Sequence, residues 1–420
     1  MLNVMIAQSG GPTCAINASL AGITAGCLAS PEIGRILGAV NGIEGVFCEK
    51  TVDLGAFFAD NTDEKLRRLS LTPSSALGSC RIKLPDPDSE RAAESYDRIF
   101  RTFEKYSVGV FFYIGGNDSM DTVAKLSRAA GSYPGAPRFI GVPKTIDNDV
   151  VLTDHTPGFG SAAKYIAATV QDVVTDCSVY TAKSLTIIEI MGRDSGWLAA
   201  AAGIPSLADR GPDLIYLPEV PFDVDRFIED IELAHRTHPN VVVCVSEGIR
   251  NSSGGYVCES SMSGSADVFG NRYLAGAARY LEAVARERIG CKVRAFDLNV
   301  PQRCVSFMLS ASDISESVGC GRFAVKAALQ GDDGVMVSLV RRDNPYRISY
   351  STVPARDVAN RVKTVPREFI NEAGNGLTRE CFDYLLPLIR GEVALEYENG
   401  IPKHLDTGWT KAFAPHGSRQ

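Results

Sequence analysis

The stretch VGVFFYIGGNDSMDTVAKL, Val108 to Leu126, decides the fold. Its first seven residues are apolar, rich in β-branched and aromatic types, and do not alternate, which is the pattern of a strand covered on both faces. Two glycines follow, then an amide, a carboxylate and a hydroxyl at the mouth of a helix. Glycine lets the backbone turn sharply and approach a ligand closely, and Asn, Asp and Ser favour helix starts. Strand, glycine turn and helix form the unit of an open α/β sheet, in which ligands gather beyond the carboxyl ends of the strands. Helix starts attract anions, so the negative charge of Asp118 at this one requires an explanation.

The same unit recurs outward from this stretch. Short apolar runs (LNVMIAQ, RILGAV, RFIGVP, SLTIIEIM, DLIYLP, NVVVCVSEG and KVRAFDL) read as strands. AINASLAGITAGCL, SERAAESYDRIFRTFEKY, SAAKYIAATVQDVV and NRYLAGAARYLEAVARERIG carry apolar residues at three- and four-residue spacing and read as crossover helices. The expected class is α/β, with two doubly wound, Rossmann-like domains and largely parallel sheets. A chain of 420 residues that is 45% hydrophobic is long enough for two such cores. The Ser/Gly-rich stretch RNSSGGYVCESSMSGSADVFGN reads as an ordered excursion or flap, and the tail KHLDTGWTKAFAPHGSRQ as peripheral or partly disordered.

A net charge of −7 with both signs mixed along the chain argues against a nucleic-acid surface. The eleven cysteines are scattered singly, without C-x-x-C or zinc-ligand spacing, and read as reduced thiols. No apolar run approaches the roughly 20 residues of a membrane span, and LNVMIAQ begins at once as a strand, so the expectation is a cytoplasmic protein with no membrane partner.

Four glycine-bearing or polar turns stand at strand ends. QSGGPTCAIN offers Gly10 and Gly11, which suit either a tight turn or a phosphate cradle. IGGNDSMD offers the choice between a helix cap and a ligand site. GVPKTIDNDVVLTD crowds Lys144, Thr145, Asp147 and Asp149 together. That set supplies a cation for a moving phosphoryl group, a carboxylate to accept a hydroxyl proton, and a positioning hydroxyl. IIEIMGRDSGWLAAAAG presents Arg193. Glu247 in VVVCVSEG and Arg294 and Arg303 in RAFDLNVPQR extend the series, and a dehydrogenase is disfavoured because no G-x-G-x-x-G turn is present.

In order, SGGPTCAIN, LGSCR, GGNDS, PKTIDND, MGR, SEG and VPQR resemble the motif series of the phosphofructokinase family, from Ser9 to Arg303. VKTVPREF, further on, resembles a substrate-side segment of longer members. The resemblance implies transfer of phosphate to the 1-hydroxyl of fructose 6-phosphate, with Mg2+ as cofactor. It makes Asp147 the base, with Lys144, Thr145 and Asp149 beside it, and Gly11, Arg81, Gly116 and Ser119 contacts to the donor phosphates. Thr145, Asp147, Met191, Gly192, Arg193, Glu247 and Arg303 become the sugar-phosphate pocket. Arg294 is implied to reach that pocket from a neighbouring subunit of a homodimer or homotetramer. The implied organisation is a donor domain of residues 1–158 plus about 302–350 and a sugar domain of 159–301 plus about 351–420.

Asp118, Lys144 and the DVFGN stretch at Asp267 resemble the pyrophosphate-using branch, whereas ATP-using members carry glycines at the first two positions. The expectation is therefore a pyrophosphate-dependent enzyme, with an ATP-dependent 6-phosphofructokinase or a catalytically silent homologue as alternatives. Asp118 would crowd the α-phosphate of ATP. At about 4 Å and an effective dielectric near 20, that repulsion is about 4 kcal/mol, roughly a thousandfold in affinity. Three departures from the family pattern stand out. Asn117 replaces the usual acidic metal ligand, Ser184 with Lys183 beside it occupies the place of an arginine, and Val300-Pro301 replaces an aromatic or histidine.

Overall fold

The computed structural model describes residues 1–90, 92–258 and 276–413. In chain order the strands are β1 (Leu2–Gln8), β2 (Ile33–Ala39), β3 (Thr51–Asp53), β4 (Val108–Gly115), β5 (Arg138–Pro143) and β6 (Ser184–Ile190). They continue as β7 (Leu214–Tyr216), β8 (Asn240–Ser246), β9 (Lys292–Asp297), β10 (Val335–Arg342), β11 (Arg347–Pro354) and a small separate pair, β12 (Tyr397–Glu398) with β13 (Ile401–Pro402). A seven-stranded sheet has the order β11-β10-β5-β4-β1-β2-β3, and a four-stranded sheet the order β7-β8-β6-β9. The second is parallel throughout, while the first is parallel except at its two edges, where β3 and β11 run antiparallel. Helices flank both, as expected for α/β sheets covered on their faces.

From β1 the chain winds to β2 on one side and later to β4 on the other. The carboxyl ends of β1 and β4 therefore open a crevice at the point where winding reverses, the usual ligand position in such sheets. β4 owes its central place to its composition: seven of its eight residues are buried, and Phe111 and Phe112 point to opposite faces. Truncating either phenylalanine to alanine would cost about 3–5 kcal/mol through lost burial and the cavity left behind.

The helix Ile16–Leu28 is buried around almost its whole circumference, because the large sheet covers one side and the helix Ala311–Gln330 the other. Gly22 and Gly321 permit that crossing: a Cβ on either would fall 2.2 Å from a carbonyl oxygen of the opposite helix. Ser310 caps the second helix through Asp313 N–H, and Asp313 in turn accepts from the N–H groups of Gly158 (2.8 Å) and Ser161 (2.9 Å). A single buried carboxylate thus fixes the start of the helix Phe159–Cys177, which leads from the large sheet toward the small one.

Two expectations are corrected. The hairpin β10–β11 was not expected, yet it closes the large sheet beside β5. The tail is not peripheral as far as residue 413. Trp409 is buried and meets Phe57 edge-on at 4.9 Å, because an indole that finds a hydrophobic recess stabilises even a polar segment. Residues 414–420, most of the Ser/Gly-rich stretch and Asp267 lie outside the described residues. The helix expected from NRYLAGAARYLEAVARERIG is described over Ala277–Ile289. Among the described residues, no helix is long and apolar enough to cross a membrane.

Candidate active site

A cleft of about 330 Å³ lies where the carboxyl ends of β1, β4, β5, β6 and β8 meet. From the large sheet it is lined by Gly11 after β1, Arg81, the Gly116–Ser119 turn after β4, and Lys144, Thr145, Asp147 and Asp149 after β5. From the small sheet come Arg193 after β6 and Glu247 after β8. Turns separated by more than 200 residues of sequence therefore converge.

The glycines of the β4 turn have a steric reason. Ser119 folds back toward the strand, and a Cβ at Gly115 would sit 1.8 Å from its Oγ. Ser119 Oγ donates to Ser9 Oγ at 3.1 Å, tying the β4 turn to the β1 turn. Gly10, at φ +77°, lies in the left-handed region, and a Cβ there would come within 3.1 Å of Lys144 Nζ. The bare glycine turn is what lets that ammonium settle against it.

Lys144 is buried, and its backbone N–H donates to Gly115 O at 2.9 Å, extending the pairing of β5 with β4. Burial pulls its pKa down to about 8, against the opposing pull of Asp147 and Asp149. The two carboxylates shift the other way. Burial raises both Asp147 and Asp149, and Asp147's charge raises Asp149 further. Thr145 Oγ1 donates to Asp147 Oδ2 at 3.1 Å and accepts from Asp147 N–H at 3.2 Å, which fixes the carboxylate's rotamer. An ammonium and two basic carboxylates held in one dry turn form a set suited to moving a proton and a phosphoryl group.

Across the cleft, Gly192 N–H donates to Glu247 Oε1 at 3.2 Å, and burial pushes Glu247 up to about 8. The backbone N–H of Met191 donates to Gln302 Oε1 at 3.1 Å. Met191 and Gly192 do not line the cleft themselves but set the position of Arg193. Arg193 and Arg303 each hold a buried Nε–H without a partner among the described residues, so each has a donor to give to a ligand. Arg303 lies beside Gly11, its Nη1 being 3.7 Å from where a Cβ on that glycine would stand.

Arg294 is not brought to the cleft. It is exposed in the middle of the edge strand β9, beside Lys183 and Lys292 around a separate hollow, because its side chain leaves the sheet well before the strand's carboxyl end. Sequence reasoning also missed contributors to the cleft, among them Ser9, Asp194 and Ser195, whose Oγ donates to Asp147 O at 3.2 Å. The serine in DSG following MGR was the available signal.

Asp118 requires a correction. It does line the cleft, but its side chain is 55% exposed, and Lys83 Nζ stands 2.9 Å from its Oδ1. The expected repulsion treated a lone carboxylate. A neighbouring ammonium and surrounding water cancel most of that field, so the thousandfold penalty shrinks to less than about tenfold.

Asn117 Nδ2 donates to Asp149 Oδ2 at 3.2 Å, leaving Asn117 Oδ1 a buried acceptor without a partner among the described residues. A free amide oxygen beside carboxylates is a hard-oxygen donor set of the kind that fits Mg2+, which takes one or two carboxylates and completes its shell with phosphate and water.

Comparison with known proteins places these turns in context. Residues 3–328 match the family described as phosphofructokinase. The chain is 38% identical over 408 residues, 96% of its length and 95% of the relative's, to the pyrophosphate–fructose 6-phosphate 1-phosphotransferase of Methylococcus capsulatus. It is 37% identical, with the same coverage of both chains, to the protein of that name from Halomonas elongata. Its structure is similar to the pyrophosphate-dependent phosphofructokinase of Nitrosospira multiformis, with TM-score 0.85, 34% identity and 96% of both chains covered.

Proposed function

The chain belongs to the phosphofructokinase family, and on that premise we propose that it is a pyrophosphate-dependent phosphotransferase acting on fructose 6-phosphate. It transfers one phosphoryl group to the 1-hydroxyl, giving fructose 1,6-bisphosphate and orthophosphate, reversibly, at the step shared by glycolysis and gluconeogenesis. The observation that carries the reading is Lys144, whose buried ammonium is fixed between the β1 glycine turn and the two basic carboxylates.

Asp147 accepts the proton of the 1-hydroxyl as its oxygen forms a bond to the terminal phosphorus. The bridging P–O bond breaks, its electron pair leaves with orthophosphate, and in reverse Asp147 returns the proton. Lys144 offsets charge on the transferred group, with Arg81, Ser119 and the amides of Gly11 and Gly116 against the donor. Arg193 and Arg303 grip the sugar phosphate, and Glu247, largely protonated at neutral pH, exchanges hydrogen bonds with sugar hydroxyls. Asn117 and Asp149 would hold Mg2+, which when bound supplies positive charge to the pyrophosphate oxygens.

The exposed position of Arg294 on an edge strand supports its reaching a second copy in a homodimer or homotetramer. We assign the protein to the cytoplasm, and divide it into a donor domain built on the large sheet and a sugar domain built on the small one. The neutralisation of Asp118 by Lys83 favours a second reading, use of ATP as donor. Phosphorus NMR of the chain with pyrophosphate, Mg2+ and fructose 6-phosphate tests the first: fructose 1,6-bisphosphate and orthophosphate should accumulate in equal amounts. A spectrum unchanged after prolonged incubation would overturn it.

A further inference from the structure

Lys363 stands behind the β5 turn, on the side away from the cleft. Its Nζ donates to Asn148 Oδ1 (3.1 Å) and to the carbonyls of Thr153 (3.2 Å) and Asp154 (2.5 Å). An ammonium has three N–H donors, and here all three have partners, every one neutral. No donor remains for a ligand. Among the described residues no carboxylate touches the ammonium, and a cation so held inside a protein is costly, so its presence calls for a role that a neutral side chain would not fill.

The backbone of the same segment is tied to both sides of the cleft. Lys363 N–H donates to Asp149 O at 2.7 Å, and Lys363 O accepts from Trp197 Nε1 at 3.1 Å. Two residues on, Val365 N–H donates to Glu219 Oε1 at 2.8 Å, and the same oxygen accepts from Gly196 N–H at 2.9 Å. The strap from Val362 to Val365 therefore joins the β5 turn of the large sheet to the Arg193–Trp197 turn of the small one. Asn148, between the two catalytic aspartates, has φ +53°, a left-handed conformation that costs energy unless its side chain is held. Tyr384 Oη and Lys363 Nζ hold it, at 3.1 Å each.

We propose that Lys363 is a positioning residue: by gripping Asn148 from behind, it fixes the angle at which Asp147 and Asp149 face the substrates. The inference rests on the phosphoryl-transfer reading for its effect on rate, but its structural consequence, the placement of Asn148 and its two neighbouring carboxylates in the ligand-free chain, stands apart from turnover. Lys363 faces the carboxylates of Asp149 and Asp154 from the turn. The Trp197 ring lies on its other side, with the centroid 5.4 Å away, and the Tyr384 hydroxyl donates to Asp154 O. Arg341 packs over the Tyr384 ring, and His155 pairs with Asp154.

The test compares Lys363→Met with the native chain in two measurements. In the first, crystal structures of the two ligand-free chains are superposed on β5: in the variant the Asn148 side chain should leave its native position and the carboxylates of Asp147 and Asp149 should be displaced by about 1 Å, a misplacement of the size that costs up to about a hundredfold in rate. In the second, kcat should fall at least thirtyfold while KM for fructose 6-phosphate changes less than threefold, and Lys363→Arg, which keeps a charged donor, should recover part of the loss. Aspartates left in place, a native kcat, or a loss carried mainly by KM would overturn the proposal. Should Lys363→Met fail to fold, Asn148→Gly, which keeps the left-handed backbone while cutting the side-chain link, should show at least a tenfold loss in kcat, and native kcat there would contradict the proposal. A native chain inactive on pyrophosphate would sink the functional reading, yet leave the superposition to decide on Lys363.

Discussion

The turns after β4 and β5 are neighbours at one cleft, and both carry charge, yet they hold it in opposite ways. In the β5 turn Lys144 is buried, Asp147 is fixed by Thr145, and the pKa values of lysine and aspartates are pushed toward one another by burial. In the β4 turn Asp118 is half-exposed and answered by an equally exposed Lys83. Buried charges are few, fixed and strongly felt, whereas exposed ones are screened and movable. The chemistry is accordingly rigid and built into the β5 turn, while donor choice sits at a soft rim.

If that contrast is right, substitutions should fall into two widely separated classes of effect. The largest belongs to Asp147→Asn, which removes the proton acceptor while preserving shape. kcat should drop by about 10³–10⁴, at the upper part of the range for general base catalysis, with KM nearly unchanged in a coupled assay of fructose 1,6-bisphosphate. Lys144→Met comes next, with a loss of about 10²–10³ typical of removing one transition-state donor. Its pH signature is specific. The folded pKa of Lys144 is depressed to about 8, so its charge, and the rate that depends on it, is present below that value and lost as pH rises through it. The methionine variant should lose this alkaline limb. On the acid side, the raised pKa of Asp147 means that the rate should fall above the range of an ordinary aspartate.

The rim substitutions should be mild. Asp118→Gly should lower pyrophosphate turnover and tighten ATP binding by less than tenfold, measured by calorimetry; a thousandfold gain would mean that Lys83 does not neutralise the carboxylate. Smallest of all, Lys83→Met should weaken ATP binding by no more than about fivefold, the worth of an exposed ion pair, and the difference should fade in 0.5 M salt.

The same contrast governs what was legible in the sequence. The strand, glycine turn and helix at Val108–Leu126 could be read directly, because continuous apolar runs and glycine punctuation act locally, and the motif series located the cleft before any fold was known. The hairpin β10–β11 escaped because β11, an edge strand with the sequence RISYSTVP, is mostly half-exposed and lacks an apolar stripe. The helix Ala311–Gln330 hid behind interior glycines and serines that propensity disfavours but tight packing on Gly22 requires. Lys83 was out of sight as the partner of Asp118, and Lys363 as the partner of Asn148, since such pairings are made by the tertiary fold across 35 and 215 residues. Arg294 differs from both: the resemblance implied a reach from a neighbouring subunit, and its side chain stands exposed on the edge strand β9, away from this chain's own cleft.

The most direct trial is a side-by-side comparison of initial rates on purified native chain, with fructose 6-phosphate and Mg2+ saturating and either pyrophosphate or ATP as donor. Rapid formation of fructose 1,6-bisphosphate with pyrophosphate, and a clearly slower rate with ATP, is the predicted result. Robust turnover with ATP and none with pyrophosphate would contradict it.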